Sequence, residues 1–149
     1  MEGQMRSNTA TLNDLIEVLE DSIGFLELAS DRSTSPDGLE VLDRIRRSNV
    51  SIISDLKAEV SLNGGEPISE GSWLGSFRHN YVELKAMLVD DPEASYLGAL
   101  AEQEDRIVEA FREATLAASD RVRELAGGYL PEMEQLRRQL QDVLRLQIN

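Results

Sequence analysis

At 149 residues the chain is the size of one domain, long enough to bury most of its apolar surface in a single core. Its 41% hydrophobic content is too high for disorder, and the absence of cysteine excludes a disulfide scaffold, thiolate metal sites and cysteine nucleophiles. With 28 acidic against 15 basic side chains the formal net charge is -13, which repels a phosphate backbone or an anionic membrane surface, so no nucleic-acid partner is expected.

The opening stretch MEGQMRSNTAT lacks the apolar core of a secretory signal. No run approaches the roughly 18 apolar residues of a membrane span. A cytoplasmic protein without a membrane partner is the expectation. Residues 1–10 read as a flexible lead-in and residues 11–147 as one domain.

Leu12, Leu15, Ile16, Leu19, Ile23 and Leu26 mark a helix from about Thr11 to Ser30, with Thr11 or Asn13 placed to cap it. DRSTSPDG breaks that pattern. A second stripe of Leu42, Ile45, Ile52, Ile53, Leu56 and Val60, with Asn49 at its centre, runs until NGGEP, whose glycines and proline end the helix. Trp73, Phe77, Tyr81, Leu84 and Leu88 then recur at helical spacing, predicting a shorter amphipathic helix capped by Ser72, with the aromatics in the core. Asp91-Pro92 signals the start of a helix running to about Ala118, and Asp120 is placed to cap the last one.

The last helix contains Gly127, Gly128 and Pro131, which normally indicate a loop. Yet Val122, Leu125, Tyr129, Met133, Leu136, Leu140, Val143 and Leu144 keep one 3.6-residue phase straight through them. A loop would reset that phase, so one helix from about Asp120 to Gln147 is predicted, kinked where Pro131 removes a backbone bond. Two helices are the alternative.

In the third long helix Leu97, Leu100, Ile107, Val108 and Phe111 share one face, and Glu104 sits in the middle of it. A carboxylate on an apolar stripe is costly unless satisfied. The expected partners are Asn49, by hydrogen bond, or Arg46 or Arg137, by ion pair; together these four residues would form a buried polar layer that fixes helix register.

The ordered combination LNDLIEVLEDSIGFLELAS, LKAEVSLNGGEP, GSWLGSFRHNYVELKAML and AEQEDRIVEAFREA resembles the bacterial ferritin-like four-helix-bundle family known as domain of unknown function 2383, over roughly Leu12 to Leu146. The resemblance implies an all-α, antiparallel four-helix bundle with a short crossover helix between the second and third long helices. It supplies no activity.

Ferritin-like di-iron bundles need an inward Glu on each of two helices and Glu-x-x-His on each of the other two. This chain has one histidine, His79, on the opposite side of the short helix from Phe77. The second helix offers Ser48, Asn49, Ser51, Ile52 and Ile53 at the corresponding positions, and the fourth turns Met133, Leu136, Leu140 and Val143 inward, with Glu132 and Glu134 at or beyond the flank. Glu104 and, at the edge of its stripe, Glu20 are the remaining metal candidates. The reading reached is a non-catalytic binding or structural module, stress-related by resemblance, with no required cofactor. The alternative is a metal-binding bundle or oxidoreductase holding iron or manganese. Val18, Phe25 and Leu28 lie off the first helix's main stripe, where either the Trp73 helix or a second subunit must pack; a homodimer is the expectation.

Overall fold

The computed structural model describes residues 2–32, 36–67, 94–116 and 119–148. The predicted short helix, with Ser72, Trp73, Phe77, His79, Tyr81, Leu84 and Leu88, lies outside the described residues, as do the side chains of Leu28, Leu97 and Leu144.

Four helices are present: α1 (Glu2–Arg32), α2 (Pro36–Leu62), α3 (Ala94–Ala114) and α4 (Asp120–Ile148). They form a helical bundle, and no strand occurs among the described residues. α1 packs on α2 and α3, α4 packs on the same two, and α1 and α4 touch only slightly across the diagonal. Each helix buries the stripe that its 3.6-residue apolar period marks out, because only that face can leave water without stranding charges.

Helix ends follow local chemistry. Pro36 and Asp37 occupy the first turn of α2, where a missing N–H costs nothing and a carboxylate suits the dipole. At the other end Gly64 adopts φ 77°, and the bonds Gly65 N to Val60 O (3.0 Å) and Gly64 N to Ser61 O (3.1 Å) make a Schellman closure. A Cβ on Gly65 would lie 2.7 Å from Thr9 Cγ2, and Asn13 Nδ2 donates to Glu66 O at 3.2 Å, so this turn lies flat against α1.

Three terminal assignments differ from expectation. α1 begins at Glu2, placing Thr11 and Asn13 inside a helix where neither can be its cap. α3 ends at Ala114 in a tight turn, with Thr115 Oγ1 donating to Arg112 O at 2.6 Å. For α4 the capping residue is Ser119: its Oγ accepts from Val122 N at 3.5 Å and its carbonyl accepts from Arg123 N at 3.1 Å. Asp120 sits one residue further in, exposed and paired with Arg123.

α4 passes unbroken through Gly127, Gly128 and Pro131. Val122, Ala126, Met133, Leu140 and Val143 are all buried along it, so tertiary packing of one continuous stripe outweighs three unfavourable residues. Phe111 of α3 meets Tyr129 of α4 edge to face, ring centres 6.3 Å apart.

Beyond the helix's own backbone, neither Gly127 nor Gly128 has any atom within 4 Å of where a Cβ would stand. Gly127→Ala and Gly128→Ala are each therefore expected to raise stability by about 0.5–1 kcal/mol, through helix propensity alone. Gly64→Ala is expected to lower it by about 1 kcal/mol, because an L side chain resists positive φ. Urea unfolding of the three variants checks both signs.

Candidate functional site

The apolar core falls into two clusters. One gathers Leu12, Leu15, Ile16 and Leu19 with Ile52, Leu56, Ile107, Phe111, Val122 and Met133; the other gathers Leu26, Ala29, Leu42, Ile45, Leu100, Leu140 and Val143. Between Leu19 and Leu26 on α1 stands Ser22, between Ile45 and Ile52 on α2 stands Asn49, and between Leu100 and Ile107 on α3 stand Gln103 and Glu104. All four are buried.

Three of these side chains are linked in a row. Asn49 Nδ2 donates to Ser22 Oγ at 3.1 Å, and Ser22 Oγ donates to Glu104 Oε1 at 3.0 Å, joining α2, α1 and α3 through one hydroxyl. Gln103 Nε2 reaches Val18 O at 3.5 Å. With Glu104 only 4% exposed, burial pushes its carboxyl up to about 7, against the lowering effect of the Ser22 bond and with a smaller push from Asp105.

Of the four residues expected in the layer, the structure brings Glu104 and Asn49 together, joined by Ser22. The arginines are elsewhere. Arg46 is exposed beside Asp43, 3.9 Å away on its own helix, because its position falls on the outer flank of α2. Arg137 is half-buried but pairs with Asp105 at 3.3 Å, the residue after Glu104. Ser22 was absent from the expected set although its spacing from Leu19 and Leu26 puts it squarely on the α1 stripe. A small hydroxyl among large apolar residues was the signal.

Glu20 is also buried, on the α2 side of α1, where Lys57 Nζ stands 2.9 Å from its Oε1. Its Oε2 has no hydrogen-bond partner. Next to it Asp21 is half-buried with one unpartnered oxygen; burial, then Glu17 and Glu20, push its carboxyl up to about 6. Among the described residues no three or more His, Asp or Glu side chains gather into a metal-binding group.

A second polar cluster fastens α4 to α2. Arg121 Nε and Nη2 donate to the two oxygens of Glu59 at 2.9 and 3.2 Å, and the Tyr129 hydroxyl donates to Asp55 at 3.0 Å. Burial and the bond to Asp55 push the Tyr129 phenol up to about 12. Sequence periodicity gave no warning of this clamp, since Glu59 and Asp55 sit on the flank of the stripe rather than within it.

Residues 7–116 match the model of DUF2383, a domain of unknown function, and the chain belongs to that family. The match takes in the layer residues Ser22, Asn49 and Glu104 and stops before α4. Comparison with curated proteins and with solved structures gave no match. Among the described residues no helix is long and apolar enough to cross a membrane.

Ser22→Ala leaves Asn49 without its acceptor and Glu104 without its donor, so a loss of about 1–3 kcal/mol is expected in chemical denaturation. Arg46→Ala, outside the layer, is expected to stay within about 0.5 kcal/mol of the parent.

Proposed function

We propose that the chain is a non-catalytic helical module, structural or binding in role, built as a ferritin-like antiparallel bundle whose central layer is closed upon itself. The observation that carries this reading is the hydrogen-bonded row Asn49–Ser22–Glu104. In a metal-holding bundle that level presents carboxylates and imidazoles with lone pairs turned inward. Here an amide and a hydroxyl hold two of the positions, and they spend their hydrogen bonds on one another and on Glu104.

The pairing of residues supports the ferritin-like arrangement. Asn13 meets Glu66, Glu20 meets Lys57 and Ser22 meets Asn49, so numbering falls on α2 as it rises on α1. Glu59 with Arg121 beside Asp55 with Tyr129, and Arg112 with Glu134 beside Asp105 with Arg137, repeat the pattern for α4 against α2 and α3. Such pairings set α2 and α3 in the same direction, which requires one long return between them, the signature of ferritin-like connectivity. The proposed crossover helix belongs to that return.

The residues do not fit a di-metal centre. Glu20 is engaged by Lys57, Glu104 by Ser22, and α4 contributes buried Met133 and Leu140 at the inward positions. The chain is accordingly expected to show no stoichiometric iron, manganese or zinc when purified without chelator, and its melting temperature is expected to be indifferent to chelator. Metal analysis giving about one ion or more per chain, or a clear rise in melting temperature on adding ferrous or manganous ion, would replace this reading with the metal-binding or oxidoreductase one.

The proposal includes a cytoplasmic location, no nucleic-acid partner, and self-association through α1. Val18 and Phe25 are half-buried against the chain's own core, leaving part of each side chain available. Sedimentation at tens of micromolar, on the order of ordinary working concentrations, is expected to give a dimer. A monomer throughout would remove self-association and leave the rest standing.

A further inference from the structure

Ion pairs are distributed unevenly among the four helix seams. Lys57–Glu20 crosses between α1 and α2, Arg121–Glu59 between α2 and α4, and Arg112–Glu134 and Arg137–Asp105 between α3 and α4. Among the described residues none crosses between α1 and α3. That seam carries carboxyl groups on both sides instead: Asp14 from α1, Glu104 and Glu113 from α3. None of the three is paired with a cation among the described residues. Two polar ties that cross the seam are Ser22 to Glu104 and the long Gln103 to Val18 bond. It also carries an open cleft of about 290 Å³ lined by Thr11, Asp14, Leu15, Ala110, Glu113 and Ala114.

We propose that the α1–α3 seam is a proton-controlled catch: the protonated Glu104 carboxyl keeps it shut, and ionisation of that carboxyl loosens it while the other three seams stay closed.

None of the cations on the helices packed around Glu104 is paired with it. From α1, Ser22 offers a single hydroxyl; its neighbours Glu20 and Asp21 are acidic, and Glu20 is already held by Lys57. From α2, Asn49 is turned to Ser22 and Lys57 to Glu20. From α4, Arg137 turns its Nη1 to Asp105, while its buried Nε has no partner; Asp105, on α3 itself, adds another negative charge beside Glu104. An ionised Glu104 would thus have one hydrogen bond and no counter-charge, in surroundings where such a charge is costly. Separating α1 from α3 lets water reach it through a seam that has no ion pair to break and is already open at the cleft. The sign follows from burial. Glu104 binds its proton more tightly folded, near 7, than unfolded, near 4.5, so its support for the closed seam is complete below about 4.5 and is lost as pH rises through about 7.

Two measurements on the intact chain test this. Carbon-detected NMR titration of the Glu104 carboxyl is expected to show a midpoint near 7. Native-state hydrogen exchange, corrected for the intrinsic pH dependence of exchange, is expected to lose about tenfold or more protection between pH 5.5 and 8 in the amides around Val18–Ser22 and Gln103–Val108, a factor equivalent to one pKa unit or more of coupling. Amides of the α2–α4 seam are expected to change far less. In Glu104→Gln the selective loss should disappear, and in Asp21→Asn, which removes the other carboxyl raised into this pH range, it should persist. A carboxyl midpoint below 5, a loss spread evenly over all four seams, or a Gln variant with the parent's pH response would each overturn the proposal. Should the variant not fold, the titration and the seam-by-seam exchange of the parent decide it.

Discussion

A hydroxyl that accepts from one helix and donates to another organises this bundle. Ser22 joins Asn49 of α2 to Glu104 of α3, and the row divides the core into two apolar halves. Apolar packing alone tolerates sliding a helix by one turn, because large side chains would still meet large side chains. A buried hydrogen-bonded row does not. Slipping α1 would strand the amide, the hydroxyl and the carboxyl together, and slipping α2 or α3 would strand Asn49 or Glu104, at about 1–3 kcal/mol for each group left unpaired. Register in α1, α2 and α3 is thus set at one level of the bundle.

α4 takes its position differently. It contributes no polar atom to the row, and it is fastened at its flanks by Arg121–Glu59, Tyr129–Asp55, Arg112–Glu134 and Arg137–Asp105. The family match ends before this helix begins. The helices that share the buried row are thus those within the family match, and the helix held by side contacts is outside it. Among the described residues no ion pair joins α1 to α3, and that seam is tied instead by the bond from Ser22 to Glu104.

The helices were legible in the sequence because burial imposes a 3.6-residue apolar period that survives even Gly127, Gly128 and Pro131. The end of α2 was equally legible, since Gly64 and Gly65 have one chemistry to offer at a helix terminus. The N-terminal caps of α1 and α4 are less legible: a stripe begins where burial begins, whereas α1 starts well before it and α4 starts from the buried Ser119 rather than the exposed Asp120. Glu104 and Asn49 stood out as polar residues on apolar faces, but one sequence does not state which residue answers another across helices. Arg46 and Arg137 lie near enough to their stripes to be candidates, but Asp43 and Asp105 are the carboxylates they meet. Ser22 went unnoticed because a serine on a helical stripe carries little weight in a hydrophobic pattern, although its size is what lets three helices converge there.

The account rests on Asn49, Ser22 and Glu104 acting as one unit, and replacing them singly and together measures that directly. Asn49→Leu, Ser22→Ala and Glu104→Leu should each destabilise the protein by stranding the partners that remain. The triple replacement, which removes every member of the row, should recover much of that loss, so that its destabilisation falls short of the summed singles by more than about 1 kcal/mol. A triple variant whose loss equals the sum, within the few tenths of a kcal/mol (roughly 0.3–0.5) expected of independent sites, would show that the three residues do not act together and would contradict the account.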